Sequence, residues 1–311
     1  MTEPGRGVVA VGDALIDEVH DERGVHRHVG GAALNLSVAL ARLGVPVSLV
    51  ARVGADVDGD LVVDCLSTSR VTLVPGSRSA ATPVVVSERL DGEPVYRSND
   101  SVALRRIDLS PDERLLLERA RVVAVNYAID DEAQTRALSE VFASASGLRV
   151  LDPNPRPDMT RSPGQLVDSF ARLVRHVDLV KVSRDDLLFL RGSADDAAAR
   201  SLLAEGPRAV LLTRGADGAS LLTASGVVHA PVPPTASPVL DPMGAGDAAL
   251  AGLVAGLLDQ LPETAPGTDE RAALESIDWN GPLQQAMSLA AEACLRPGGA
   301  MTHPPQPERT T

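Results

Sequence analysis

Short, unbroken runs of β-branched residues alternate along this chain with longer segments of helical periodicity, and few architectures accept that alternation. The first run, "VVAV" at residues 8–11, ends at Gly12 and suits a strand buried on both faces. "GGAALNLSVALARLG" then predicts a helix over about residues 32–43, with Gly44 just past its end. "VPVSLVARVG", "RVVAVN", "GLRVLD", "DLVKVS" and "RAVLLTRG" read as further strands, and "DVDGDLVVDCLSTS", "DDEAQTRALSEVF" and "PGQLVDSFARLVRHV" as helices between them. Ser110-Pro111-Asp112-Glu113 is a capping box with Pro at the first helical position. The expected fold class is α/β: a mostly parallel sheet covered by helices on both faces. A length of 311 residues suits one large domain of this kind or two small ones. With aromatic residues at only 2%, the core has to be built from Val, Leu and Ala.

Two stretches break the rhythm. "DEVHDERGVHRHV" and "TPVVVSERLDGEPVYRSN" read as extended segments, the second turning at Asp91-Gly92. They predict a small projecting sheet, a lid formed by segments of about 16–29 and 82–102. Residues 261–268 read as a surface loop, and the Pro-rich tail from Pro304 as loosely ordered. The formal charge of −13 argues against nucleic acid or an anionic membrane as the main partner. The longest apolar run, "AALAGLVAGLL", is well short of the ~20 residues that span a bilayer, and the N-terminal apolar run is too short for a signal peptide. A cytoplasmic protein is expected. Cys65 and Cys294 belong to no metal-like spacing and read as reduced core thiols.

Chemistry concentrates in "DPMGAGDAALAG". Gly244, Ala245 and Gly246 leave backbone bare at a helix start, where unsatisfied N–H groups and the helix dipole favour an anion. Asp247 stands at the same point, placed to accept a proton from a hydroxyl. Taken alone, these residues equally suit a Gly-rich strand-to-helix turn with a helix-start carboxylate. A second glycine pair, Gly30-Gly31, precedes a helix with Asn35 near its first turn. It reads either as a tight turn or as backbone approaching a polyol, with Asn35 offering a donor and an acceptor. Asp13 and Asp17 follow the first strand, where open α/β sheets bind ligands, and Asp17 suits two sugar hydroxyls.

Together these pieces resemble the ribokinase-like (PfkB) sugar kinase family. "GGAALNLSVALARLG" is similar to its N-terminal signature and "DPMGAGDAALAGLV" to its C-terminal one, in the right order, and the likeness runs from about Val8 to Pro305. The resemblance implies a three-layer kinase domain with a β-sheet lid that transfers the terminal phosphate of ATP, with Mg²⁺, to a hydroxyl of a small carbohydrate. It makes Asp247 the catalytic base and the amides from Gly244 through Ala245 and Gly246 its anion hole. Asp17, Gly30, Gly31 and Asn35 become sugar contacts, with Asp13 beside them. "TRGADG" resembles the family's nucleotide loop, which places Thr213, Gly215 and Gly218 on the nucleotide, together with Ser183 and Lys181, the chain's only lysine. No GxxxxGK[ST] is present, so phosphoryl transfer through a P-loop is not indicated.

The chain departs from the family at two places. The usual Asn-x-x-Glu is Ser183 and Asp186, which read as a helix cap or as a shorter-reaching carboxylate on the Mg²⁺ side. Pro242 and Met243 replace the commoner Thr-Thr, so the monovalent-cation site of some members is not carried over. "GDALID" looks more like the opening of fructokinase-like members, and "LDPNPRP" resembles a segment of fructokinase-like and 2-keto-3-deoxygluconate kinase-like members. Asp152, Asn154 and Arg156 reach the site from a strand end, or form an Asp-Pro-Asn turn. Tyr96, Arg97 and Asn99 are lid candidates for substrate. His26 and His28 share a strand face that reads as solvated rather than as a metal pair. The expected function is a fructose-type kinase. A 2-keto-3-deoxygluconate or nucleoside kinase, or a weakly catalytic nucleotide- or sugar-binding sensor, are the alternatives. A dinucleotide oxidoreductase is disfavoured because "VGDALID" stands where GxGxxG belongs. Val84 and Val86 leave room for a homodimer through the lid.

Overall fold

The first strand, β1 (Val8–Gly12), sends Val8 and Ala10 into one hydrophobic core and Val9 and Val11 into another. A strand with two buried faces belongs inside a sheet with helices above and below it. In the computed structural model, residues 7–21, 24–75, 78, 79, 81–90, 93–98, 106–156, 160, 162–261 and 270–299 are described, with backbone alone for 21, 78, 79, 88–90, 93–98, 270 and 272. The turn expected at Asp91-Gly92, most of the loop expected over 261–268 and the tail from Pro304 lie outside the described residues.

After β1 the chain forms an antiparallel pair, β2 (Leu15–Asp21) and β3 (Gly24–Gly30), and re-enters the main layer through α1 (Ala32–Arg42) and β4 (Val47–Val50). Then come β5 (Val53–Gly54), α2 (Val57–Thr68), β6 (Thr72–Leu73), β7 (Arg78–Ser79) and a second antiparallel pair, β8 (Val84–Leu90) and β9 (Glu93–Ser98). The regular alternation follows: α3 (Pro111–Arg119), β10 (Val122–Asn126), α4 (Glu132–Ser144), β11 (Leu148–Asp152), α5 (Pro163–Leu173), β12 (Leu179–Ser183), α6 (Arg184–Arg191), α7 (Asp196–Ser201) and β13 (Ala209–Thr213). The hairpin β14 (Ala219–Thr223) and β15 (Gly226–Ala230) precedes α8 (Ala245–Gln260) and α9 (Asn280–Ala293).

The large sheet runs β15-β14-β13-β12-β11-β10-β1-β4-β6, parallel from β13 to β6 with β14 and β15 antiparallel at one edge. Side chains of α1, α2, α8 and α9 pack with Val8 and Ala10 on one face; those of α3 to α7 pack with Val9 and Val11 on the other. The α/β expectation therefore holds, and the two disruptive stretches pair in a separate four-stranded sheet ordered β3-β2-β8-β9. "VPVSLVARVG" is not one strand. It breaks after Val50, and Val53–Gly54 pairs with Arg78–Ser79 in a small sheet of its own. At the break Arg52 turns to the buried Glu113 at 3.0 Å and to the Asp108 carbonyl at 2.6 Å. Among the described residues, no helix is long and apolar enough to cross a membrane.

Helix starts differ along the chain, and α9 opens on Trp279 without a side-chain cap. α2 to α7 each open on a Ser or Asp whose side chain accepts a first-turn N–H, including both halves of the Ser110–Glu113 box. α1 and α8 open instead on Gly31 and Gly244, which have no side chain to cap them.

Candidate active site at the strand carboxyl ends

Period-two alternation carries a polar row to the carboxyl edge of the large sheet. On β10, Val122 and Ala124 face the core shared with α1 and α8, and Asn126 continues that series; on β11, Leu148 and Val150 lead to Asp152. Leu179 on β12 is followed in the same phase by Lys181 and Ser183, and Leu211 on β13 by Thr213. Strand register aligns Gly12 with Asn126 and Asp152, and Ser183 with Thr213.

Asp247, in the first turn of α8, is buried above this row. Its Oδ2 accepts Asn35 Nδ2 at 2.9 Å and its Oδ1 accepts Asn126 Nδ2 at 3.1 Å. Burial pushes its carboxyl up from the ordinary value, against Lys181, the two amides and Arg156, which favour the ionised form. The N–H groups of Gly244, Gly246 and Asp247 find no acceptor among the described residues. Ala245, expected to join them, gives its N–H to the Pro242 carbonyl at 3.2 Å. Gly244 has φ 74°, and a Cβ there would come within 2.2 Å of the Gly299 carbonyl oxygen. A turn at residues 298–299 thus closes over the helix start, tied there by the Gly298 N–H on Asp241 Oδ2 at 3.0 Å.

The lone lysine sits beneath the same helix start. Lys181 Nζ lies 2.9 Å from Asp152 Oδ2 and 3.9 Å from Asp186 Oδ2, and it would be 3.0 Å from a Cβ at Gly246. Burial opposes its charge, yet Asp152, Asp186 and Asp247 outweigh that and raise its pKa. Asp152, fully buried, is pushed up to about 6 by desolvation, with Lys181 pulling the other way. The lysine therefore lies against the glycine-opened start of α8 with its charge beside Asp152.

Asp17 on β2 is packed against Gly30 so closely that a Cβ at Gly30 would fall 2.0 Å from Asp17 Oδ2. Burial raises its carboxyl to about 7; Arg156 pulls it down, and Asp247, Asp241 and Asp13 push it further up. Those couplings bring Asp13, Asp17, Asp241, Asp247 and Arg156 into one neighbourhood. Gly31 and Asp13 meet at the start of α1, where the Asp13 carbonyl accepts the Leu34 N–H at 3.1 Å. Asn35, expected on the sugar, gives one of its two amide hydrogens to Asp247 and has a buried Oδ1 without a partner among the described residues. Asn154 has φ 36° and donates its backbone N–H to Asp152 Oδ1 at 3.1 Å, so it forms the Asp-Pro-Asn turn.

On the expected nucleotide side, Ser183 and Asp186 form a complete capping box, with Ser183 N–H to Asp186 Oδ2 at 2.7 Å and Asp186 N–H to Ser183 Oγ at 3.1 Å. Gly215 and Gly218 bracket a tight turn after Thr213 with φ 57° and 81°. That turn is pinned to α6 by Arg184 Nη1 on Asp217 Oδ2 at 2.7 Å. Arg97 and Tyr96 lie on β9, of which only the backbone is described, and Asn99 lies outside the described residues. His28 is half-buried against Gly298, and among the described residues no group of three or more His, Cys, Asp or Glu is arranged as a metal site. Asn126 escaped the sequence reading. Its signal is a polar side chain ending an otherwise apolar strand in the core-facing phase.

A family model described as pfkB family carbohydrate kinase matches residues 7–297. The chain is 29% identical over 303 residues to a fructokinase of Klebsiella pneumoniae, spanning 89% of this chain and 98% of that protein. A fructokinase of Rhizobium leguminosarum bv. trifolii is 29% identical over 260 residues, 80% of this chain and 79% of the relative. The crystal structure of a fructokinase with bound ATP from Xylella fastidiosa has the same fold, with a TM-score of 0.77 at 22% identity over 94% of this chain and 93% of that one. A match that takes in both glycine-opened helix starts and the strands that carry the polar row leaves one assignment: the chain belongs to the pfkB family of carbohydrate kinases.

Proposed function

We propose that this chain transfers the terminal phosphate of ATP to a hydroxyl of a fructose-like sugar. The single observation that carries the mechanism is a buried carboxylate, Asp247, in the same helical turn as the unpaired N–H groups of Gly244, Gly246 and Asp247. Asp247 takes the proton of the acceptor hydroxyl. The hydroxyl oxygen forms its bond to the terminal phosphorus as the bond from that phosphorus to the leaving diphosphate oxygen breaks. The N–H groups receive the charge that moves through the transition state, and Lys181, against Gly246, adds positive potential there. Asp17 accepts sugar hydroxyls, its carboxylate seated in the room that the bare Gly30 leaves, as the bare Gly31 leaves room for the Asp13 carbonyl. The acidic surroundings of Arg156 suit a neutral polyol better than a keto acid, because Asp13, Asp17, Asp241 and Asp247 would repel a carboxylate.

Ser183, Thr213, Gly215 and Gly218 line the nucleotide side in this reading. Asp186 fits a magnesium ion: it is a hard oxygen donor whose capping bond uses only Oδ2, and magnesium takes most of its ligands from phosphate and water. Bound there, the ion would screen the phosphate charge. The small β3-β2-β8-β9 sheet acts as a lid that excludes water as a competing acceptor, and Val84 and Val86 on it suit a homodimer. A cytoplasmic location accords with this activity.

ADP release from the purified protein, measured against a panel of sugars, 2-keto-3-deoxygluconate and nucleosides, tests the reading; fructose is expected to give the highest kcat/KM. Asp247→Asn should retain ATP binding and lose roughly 10³-fold or more in kcat, in keeping with the loss of a general base. Full turnover by Asp247→Asn would remove that residue from the chemistry.

A further inference from the structure

The two amides on Asp247 differ from ordinary buried asparagines. Asn126 is fully buried at the end of β10 and spends its Nδ2 on two acceptors, Asp247 Oδ1 at 3.1 Å and the Ala32 carbonyl at 3.2 Å. Asn35 gives its Nδ2 to the other carboxylate oxygen at 2.9 Å. Among the described residues, the Oδ1 atoms of both asparagines are buried without a partner. Buried amide oxygens normally find a donor, and leaving one without is unfavourable. Here each amide aims a donor at the same carboxylate and leaves its own acceptor end without a donor. Each carboxylate oxygen is held by one amide hydrogen from a different element, β10 on one side and α1 on the other.

We infer that Asn126 is a positioning residue for phosphoryl transfer: with Asn35 it fixes the plane of the Asp247 carboxylate, so the proton of the acceptor hydroxyl meets one oxygen in one orientation. This rests on the reading of Asp247 as the base. Asn126 touches no reacting atom in this role. It acts through Asp247, and through the Ala32 carbonyl it ties the base to the first residue of α1 and so to the turn at Gly30-Gly31. Alignment matters because proton transfer in the transition state is sensitive to displacements of an ångström or less. The other charged groups around Asp247 are Lys181 from β12, Arg156 after β11, Asp152 from β11 and Asp17 from β2, with Asp13 and Asp241 coupled to Asp17. The hydrogen bonds of Asn126 go to Asp247 and the Ala32 carbonyl and to none of these groups.

The experiment compares wild type, Asn126→Ala, Asp247→Asn and the double variant by steady-state kinetics from pH 5 to 9, each checked by thermal melting. Asn126→Leu, close to asparagine in volume but without donors, repeats the test should the truncation unfold. Expected for Asn126→Ala or Asn126→Leu are a kcat lowered roughly 10–100-fold, a KM for ATP within about twofold of wild type, and an acid limb of kcat moved to higher pH. The limb moves up because a donor that favours the ionised carboxylate has gone. In the Asp247→Asn background the change at Asn126 should cost nothing further. Unchanged kcat at Asn126 beside a dead Asp247→Asn overturns this inference alone, as does a lowered kcat with an unmoved acid limb. An active Asp247→Asn overturns the base assignment on which it rests.

Discussion

Replacing Asp17 by asparagine keeps the shape of the side chain and removes a charge that the folded protein holds at a disadvantage. Burial raises this carboxyl from 3.8 to about 7, and Arg156 only partly offsets it against Asp247, Asp241 and Asp13. In the unfolded chain the proton leaves near 3.8; in the folded protein it stays until about 7. Between those values the native state binds the extra proton, so stability from this group falls as pH rises and levels off above about 7. At ~1.4 kcal/mol per pKa unit, the stability lost through this group is about 1–2 kcal/mol at pH 5, where the folded protein still holds the proton, and at most about 4 kcal/mol at pH 8, where the carboxylate is ionised. The residue keeps some exposure, which makes the larger figure a ceiling. Urea unfolding without ligand at pH 5, 6.5 and 8 is the assay. Asp17→Asn should be the more stable protein, with a gain that grows by up to about 3 kcal/mol from pH 5 to pH 8. The same variant should lose roughly 10²-fold in kcat/KM for fructose, because a charged acceptor of sugar hydroxyls has become a neutral amide. A gain that is flat across pH, or a variant less stable than wild type at pH 8, would show that burial does not set the state of this carboxyl.

Gly244→Ala puts a Cβ at φ 74° and within 2.2 Å of the Gly299 carbonyl oxygen, so the turn at 298–299 or the start of α8 must shift. Unfolding should show a loss of about 1–3 kcal/mol, and kcat should fall by roughly tenfold or more as the N–H groups are re-aimed. Asp186→Asn keeps an acceptor for the Ser183 N–H, so the melting temperature should hold, while magnesium titrations of turnover should show a half-saturation raised several-fold. Unaltered magnesium dependence would reduce Asp186 to its capping role.

Much of the architecture is legible along the chain because its determinants are local. The β-branched runs, Ser110 with Glu113, and the glycines before α1 and α8 each act within a few residues, and the strands and helices form where those patterns place them. "VPVSLVARVG" misleads because β-propensity does not say which partner a strand takes; Val53–Gly54 pairs with Arg78–Ser79 instead of extending β4. The Ser183–Asp186 pair illustrates the opposite case, where a local motif forms as its spacing predicts and its geometry leaves one carboxylate oxygen for another task.

The alternation of strands and helices, the two glycine-opened helix starts and the presence of a carboxylate at the second of them are written in the order of residues alone, since periodicity, backbone freedom and capping are properties of neighbouring residues. What that carboxylate meets depends on how distant segments pack. Asn35 and Asn126 lie 212 and 121 positions from Asp247, and they reach it because β1 and β10 are adjacent in the sheet with α1 and α8 packed over the same face. The lone lysine likewise looks like a compositional accident until β11 and β12 lie side by side and set Asp152 against it. Contacts between distant residues follow from strand order and register, which no short stretch of chain encodes.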